Sequence, residues 1–313
     1  MFEKVTRNKA KLRMALTGVS GAGKTLGALY IAYGITGDWS KIALIDTEHE
    51  RARFYANRSD LSTGEFLYAS FKPPYSPDRY KAMVQEGAQA VGPDGVVIVD
   101  SFSHAWNNEG GVLDIKEQIA SRAGKNSYTA WQEAGKEQNS LVNTILAVEC
   151  HVIVTMRSKM DYALVENDRG RMEPRKMGLA PIQRDDTEYE FDVVLDIARN
   201  HIATASKDTT FLDKFGEVIT PQLGRSLADW LNNGVEPPKP PTCADCGKLI
   251  AATKKRSAAG FAEATMKEFG RTLCLECAKL AGEKRGNDEK AARAEAYAAQ
   301  KAGDMNAAQT VSE

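Results

Sequence analysis

LRMALTGVSGAGKTLGALYIAY, residues 12–33, sets a short apolar run before a glycine-rich loop and a segment with helical spacing. Gly18, Gly23, Lys24 and Thr25 fill the pattern G-x-x-x-x-G-K-[ST] without departure. Chemistry explains each residue type. Glycines at 18, 21 and 23 let backbone N–H groups of the loop, Ser20 and Ala22 included, turn toward a β-phosphate. Lys24 supplies a point charge to β/γ oxygens, and the Thr25 hydroxyl reaches Mg²⁺. The helix that follows, with Leu26, Leu29, Tyr30 and Tyr33 expected on one side, aims its positive end at the same anion. A chance glycine turn is the bland alternative. The strand before the loop and the amphipathic helix after it argue for a phosphate site.

The chain has 313 residues, 42% of them hydrophobic, enough to bury a substantial core in one large domain or two. A formal net charge of -1 gives no global attraction to nucleic acid or anionic membrane, so any basic surface must be local. Residues 1–11 are polar, and no apolar stretch is long enough to span a bilayer, so a cytoplasmic protein without membrane contact is expected. Cys150, alone before the strand-like HVIVT, reads as a small buried thiol rather than a reactive one.

Outward from the loop, strands and helices alternate. KIALID (41–46) and GVVIVDS (95–101) are apolar runs closed by acids, as expected of strands buried on both faces of a parallel sheet. FLYAS (66–70) is a further strand, and PDRYKAMVQEGAQAV (77–91) a helix with proline near its start and glycine after it. Helical spacing returns over 127–149, ahead of a strand at 151–155, with Trp106 and Trp131 read as core. Residues 156–186 lack periodicity and read as a long functional loop rich in basic residues. YEFDVVLDI (189–197) and HIATASK (201–207) read as two strands at the sheet edge, and SLADWLNNG (226–234) as a closing helix. The pattern is an α/β P-loop NTPase core with a mostly parallel sheet.

Asp100, at the tip of the second acid-closed strand, is the position that holds the magnesium shell in P-loop NTPases. Ser101 follows it, so the glutamate that many AAA-type ATPases place there is absent. IDTEHERARFYA supplies Glu48 instead, just past the strand expected beside that of Asp100, with Asp46 and Glu50 as alternative bases. Here the residues resemble the RecA family, whose I-D-x-E segment maps its catalytic glutamate onto Glu48. HVIVTMRSK, GLAPIQRDDTEYEFDVVLDI and HIATASKD further resemble the small RecA-core ATPases of tailed phages that are grouped with single-strand annealing recombinases. The resemblance covers about the first 230 residues. It implies ATP and Mg²⁺ binding, homo-oligomerisation and work on single-stranded DNA in recombination or replication, often beside a single-strand binding protein. For a phage protein the compartment is the bacterial host cytoplasm. Related sequences commonly carry a basic residue two positions after the lysine of the S-K-D block. Thr209 stands there in this chain, so an inter-subunit finger rests on Lys207 alone.

EPPKPPT (236–242) reads as a stiff linker, dividing an ATPase domain (1–235) from a module (243–280) and a charged, alanine-rich tail (281–313), helical or disordered. Cys243, Cys246, Cys274 and Cys277 form two C-x-x-C pairs, which suit a structural Zn²⁺ site. A redox dithiol pair is the alternative. Candidate contacts to a DNA backbone are Arg157, Lys159, Arg169, Arg171, Arg175 and Lys176, with Lys248, Lys254, Lys255 and Arg256 of the module as further candidates. Two other functions remain open: a regulatory ATPase that switches a protein partner, and an annealing scaffold that binds ATP without hydrolysing it.

Overall fold

Residues 6–122, 126–166, 172–235, 241–253 and 256–309 are described by a computed structural model, and the chain divides into two units, Met1–Val235 and Glu236–Glu313. The glycine loop joins β1 (Arg13–Gly18) to α1 (Lys24–Thr36), followed by β2 (Ile42–Asp46), β3 (Leu67–Ser70), α2 (Pro77–Val91) and β4 (Val96–Asp100). A short α3 (His104–Asn107) and α4 (Val112–Ala120) lead into α5 (Ser127–Ala147). Next come β5 (His151–Glu166), β6 (Met172–Pro181), β7 (Val193–Ile197), β8 (Ile202–Asp208), β9 (Gly216–Val218) and α6 (Pro221–Asn232). The sheet runs β3-β2-β4-β5-β1-β7-β8-β9. Pairing is parallel from β3 through β7 and antiparallel at β8 and β9.

Strand alternation explains the unbroken apolar runs. Met14 and Leu16 of β1, Val96 and Ile98 of β4 and Ile153 of β5 enter a core with α1 and α6. Ala15, Val97, Val99, Val152 and Val154 enter a second core, built with α2 and α5. Both sheet faces are therefore dry, and polar side chains collect at the strand tips. On the first face α1 and α6 cross at two glycines. A Cβ on Gly34 would stand 2.1 Å from the Pro221 carbonyl oxygen, and one on Gly224 2.2 Å from that of Ile31.

The second unit contains α7 (Ala258–Phe269) and α8 (Leu275–Gln309). Its core is small, with Ile250, Ala262 and Leu273 packed beside Cys243 and Cys274. α8 runs without interruption across position 280, so module and tail share one helix.

Several expectations change. Residues 156–186 are largely a two-stranded antiparallel ribbon, in which β5 continues past the parallel sheet and β6 returns along it. Past Arg157 the strand no longer pairs with β1 and pairs with β6 instead, and Lys159 and Met160 are exposed. Neither of the two strands is the edge: β7 lies between β1 and β8, and β9, too short to show alternation, pairs beyond β8. α1 buries Gly27, Ala28, Leu29, Ile31, Ala32 and Gly34, on more than one side, because α6 covers the face opposite the sheet. Trp131 is 43% exposed, stacked on Trp106 with the Lys116 ammonium over its ring. Cys150 is buried as expected, and burial pushes its thiol pKa up.

One core histidine makes the fold acid-sensitive. His151 Nδ1 accepts from the Leu12 backbone N–H at 3.0 Å, so the ring must stay neutral there. Desolvation, then Lys11 and Arg13, bring its pKa from 6.5 down to about 4 against the pull of Asp94. Below the unfolded value the unfolded chain takes up the proton and the folded one does not, so stability present above pH 6.5 is lost as pH falls toward about 4. Between about pH 7 and about pH 5 this group should remove about 2 kcal/mol. Thermal melts should show that slope, and His151→Asn, which keeps an acceptor at the δ position, should flatten it. An unchanged slope would assign the titration to another group.

Candidate functional site

The loop between β1 and α1 bares the start of the helix. Gly23 at the N-cap has φ 97°, Gly21 has φ 80°, and no side chain caps the first turn. Exposed N–H groups and the helix dipole thus meet at one point, the arrangement that receives an anion. Lys24, only 9% exposed, curls back over the loop and donates to the carbonyls of Gly18 at 2.9 Å and Val19 at 3.0 Å. Desolvation lowers its pKa, against attraction from Asp100 and Glu48.

Asp100 ends β4 in the register position beside Asp46. Its two oxygens accept from the hydroxyls of Thr25 on α1, at 2.5 Å, and Thr155 on β5. Desolvation raises the Asp100 carboxyl, and those two donors oppose the shift by favouring the ionised form. Thr25 and Asp100 are hard oxygen donors in contact beside the helix start, a pair suited to a divalent cation.

Of the three acids in residues 46–50, one faces this centre. Asp46 is buried, and its carboxylate accepts from the N–H groups of Glu48 at 2.6 Å and Ala52 at 3.0 Å and from the Tyr68 hydroxyl at 3.2 Å. It clasps the turn. Glu50 turns outward to Ser70 and Lys72. Glu48 points inward and takes both Nε and Nη2 of Arg157, the first at 2.6 Å. Burial alone would raise the Glu48 carboxyl, but the bonds and charge of Arg157, helped by His104 and Lys24, hold it below the ordinary range. Behind the pair, His104 is buried, with Nδ1 2.7 Å from the Thr47 hydroxyl and Nε2 4.0 Å from Glu48. Desolvation lowers its pKa, against the attraction of Glu48.

A cleft of about 550 Å³ collects these groups. Ser20, Gly21, Ala22, Gly23, Lys24 and Thr25 form its floor, and Glu48, Asp100 and Arg157 one end. Tyr30, Tyr55, Asn200, His201, Val218 and Ile219 add aromatic, polar and apolar wall. His201 Nδ1 lies 3.0 Å from the Ala22 carbonyl, tying the turn between β7 and β8 to the loop. His201 and Tyr55 in the cleft wall and His104 behind Glu48 carried no motif, because only the tertiary fold brings them together.

Lys207, on β8, does not line the cleft, and its ammonium donates to the Tyr189 carbonyl. Arg157 is engaged inside the cleft by Glu48, whereas Lys159, two residues further along β5, is exposed. Arg175 and Lys176 occupy β6 register positions opposite Ala163 and Tyr162. Arg169 and Arg171 lie outside the described residues.

In the second unit the four sulfurs of Cys243, Cys246, Cys274 and Cys277 lie within 4.8 Å of one another, and those of Cys246 and Cys274 are 3.7 Å apart. Metal–sulfur bonds of about 2.3 Å in a tetrahedron require sulfur separations of about 3.8 Å. Desolvation opposes the Cys243 thiolate, yet backbone amides of Cys274, Cys246 and Asp245 outweigh it and bring the pKa down to about 6.

A family model described as AAA domain matches residues 10–219. That span includes the loop, Glu48, Asp100 and all of the parallel sheet. No curated protein gives a match.

The clasp of Asp46 carries a measurable load. Asp46→Asn offers an amide where three donors converge, and should lower stability by about 1–3 kcal/mol in denaturant melts. An unchanged midpoint would mean that the turn holding Glu48 does not depend on this carboxylate.

Proposed function

We propose that this chain, which belongs to the AAA domain family and so to the P-loop ATPases, binds ATP with Mg²⁺ in the described cleft and couples its hydrolysis to single-stranded DNA. The observation that carries the reading is the meeting of Lys24, the Thr25–Asp100 pair and Glu48 around one cavity. In this reading the uncapped start of α1 and Lys24 take the β- and γ-phosphates. Thr25 and Asp100 would hold Mg²⁺, which supplies Lewis-acid stabilisation of the phosphate charge. Glu48 orients a water whose oxygen bonds to the γ-phosphorus as the bond to the β–γ bridging oxygen breaks. Its proton passes to the carboxylate, and ADP and phosphate leave.

The substrate in this reading is single-stranded DNA. The ribbon of β5 and β6 starts at the cleft, and Lys159, Arg175 and Lys176 lie along it, with Arg169 and Arg171 in the segment between the two strands. Basic residues on a ribbon rooted beside the γ-phosphate suit sequence-independent phosphate contacts whose strength follows nucleotide state. Resemblance to phage annealing-group ATPases supports the same substrate, together with a homo-oligomer, a possible single-strand binding partner and a cytoplasmic setting. No helix among the described residues is long and apolar enough to cross a membrane. The non-hydrolysing alternative draws support from Arg157, which occupies Glu48. For the second unit we propose a structural Zn²⁺ held by Cys243, Cys246, Cys274 and Cys277, whose sulfur spacing fits a closed tetrahedral site.

Nucleotide, DNA and metal measurements test this reading. Lys24→Ala should weaken ATP binding on the order of ten- to a hundredfold in calorimetry, and Glu48→Gln should abolish turnover while ATP stays bound. Anisotropy titrations on single- and double-stranded DNA, with and without ATP and across salt, should show salt-dependent single-strand binding. Alanine at Lys159, Arg169, Arg171, Arg175 and Lys176 should flatten the log–log slope by about 0.7 per lost contact. An unchanged slope would remove the ribbon as the DNA site, and absent binding would favour a protein partner. Metal analysis should find about one zinc per chain, and chelation should unfold residues 243–280 while the first unit keeps its melt. Four reactive thiols and no zinc in the native protein would overturn the metal site.

A further inference from the structure

The Glu48–Arg157 pair is anchored unequally. Arg157 is held by its backbone, since its N–H donates to Ser103 Oγ at 3.0 Å and its carbonyl accepts from the Ile182 N–H at 2.6 Å. The first bond fixes it to the turn after β4, and the second to the strand returning from the ribbon. Its side chain, 39% exposed, reaches into the cleft, whereas the Glu48 side chain is 15% exposed and held by the turn that Asp46 clasps. The two charges cancel each other where Lys24 and Asp100 also line the wall. A carboxylate bonded to two guanidinium nitrogens is poorly placed to orient or accept from a water.

The geometry points to Arg157 as a ligand of the terminal phosphate that changes partners, holding Glu48 when no triphosphate is bound and releasing it when a γ-phosphate arrives. This inference rests on the ATP site proposed above. A terminal phosphate carries more negative charge than one carboxylate and offers the same two-oxygen face to the guanidinium fork, so it competes for Arg157 directly. A nucleoside diphosphate has no such group and leaves the pair intact. Glu48 is then freed only beside a hydrolysable bond. The anchored Arg157 backbone would pass the exchange to the root of the ribbon. A merely structural Arg157 would hold Glu48 in the same place whatever nucleotide is present.

The two roles separate in a double-mutant cycle on the full chain, read by calorimetry with ADP and with the slowly hydrolysed β,γ-imido analogue of ATP. Arg157→Ala should weaken the analogue on the order of tenfold and leave ADP unchanged. Glu48→Gln removes the competitor for Arg157, so it should tighten the analogue by several-fold, again without effect on ADP. That gain should vanish in the double variant, because the two residues act through one contact. Arg157→Lys, which keeps the charge and loses the fork, should fall between parent and alanine. Equal analogue affinity in parent and Arg157→Ala, or a Glu48→Gln gain that persists without Arg157, would overturn the inference while leaving the ATP site standing. A parent that binds neither nucleotide would sink both. Should Arg157→Ala fail to fold, Arg157→Lys with and without Glu48→Gln gives the same cycle.

Discussion

A buried carboxylate at the edge of the cleft ties the site together. Asp100 is only 3% exposed at the end of β4, where an unpaired charge would cost several kcal/mol. Two hydroxyls meet that demand, Thr25 from the start of α1 and Thr155 from the neighbouring strand. The same bonds therefore set the distance between the glycine loop, the tip of β4 and the stretch of β5 that ends its pairing in the parallel sheet. Everything the cleft does chemically depends on those three points staying in register.

From this centre the order spreads by backbone rather than by further charge. The Thr47 N–H donates to the Asp100 carbonyl at 2.7 Å, and the Ser101 N–H to the Thr47 hydroxyl at 2.8 Å, so the turns after β2 and β4 are stitched crosswise. Asp46 then collects the amides that shape the Glu48 turn. The result is a first turn of α1 left open to an anion and a carboxylate preset a short way off. Between them stands Arg157, whose partner is an exchangeable side chain and whose backbone belongs to the ribbon. A parallel sheet makes such convergence ordinary, because all of its strand tips with the same direction end on one edge.

The second unit follows a different economy. Its apolar core is a few side chains, two of which are cysteines, so apolar burial contributes little to holding it together. Four sulfurs at tetrahedral separations would supply that missing cohesion through a metal, and the folding of this unit would then be tied to metal occupancy.

The sequence by itself determined the local pieces. G-x-x-x-x-G-K-T, the acid-closed apolar runs and the paired C-x-x-C spacings each encode a backbone conformation or ligand set within a few residues, so strand, loop, helix and thiolate cluster were all legible. Glu48 was legible as a candidate beside Asp46 and Glu50, but the choice among three neighbouring acids depends on which way each turns, and only packing against β3 and the cleft decided it. The ribbon reads as a loop in the sequence because the pairing of β5 with β6 is a backbone contact that residue types do not announce, and the extra edge strand β9 is too short to declare itself. Tertiary structure alone brought Arg157 to Glu48, 109 residues away in the chain, and set His104 behind them. Contacts of that separation leave no local signature, since they arise where strand tips meet and not from the preferences of the residues that make them.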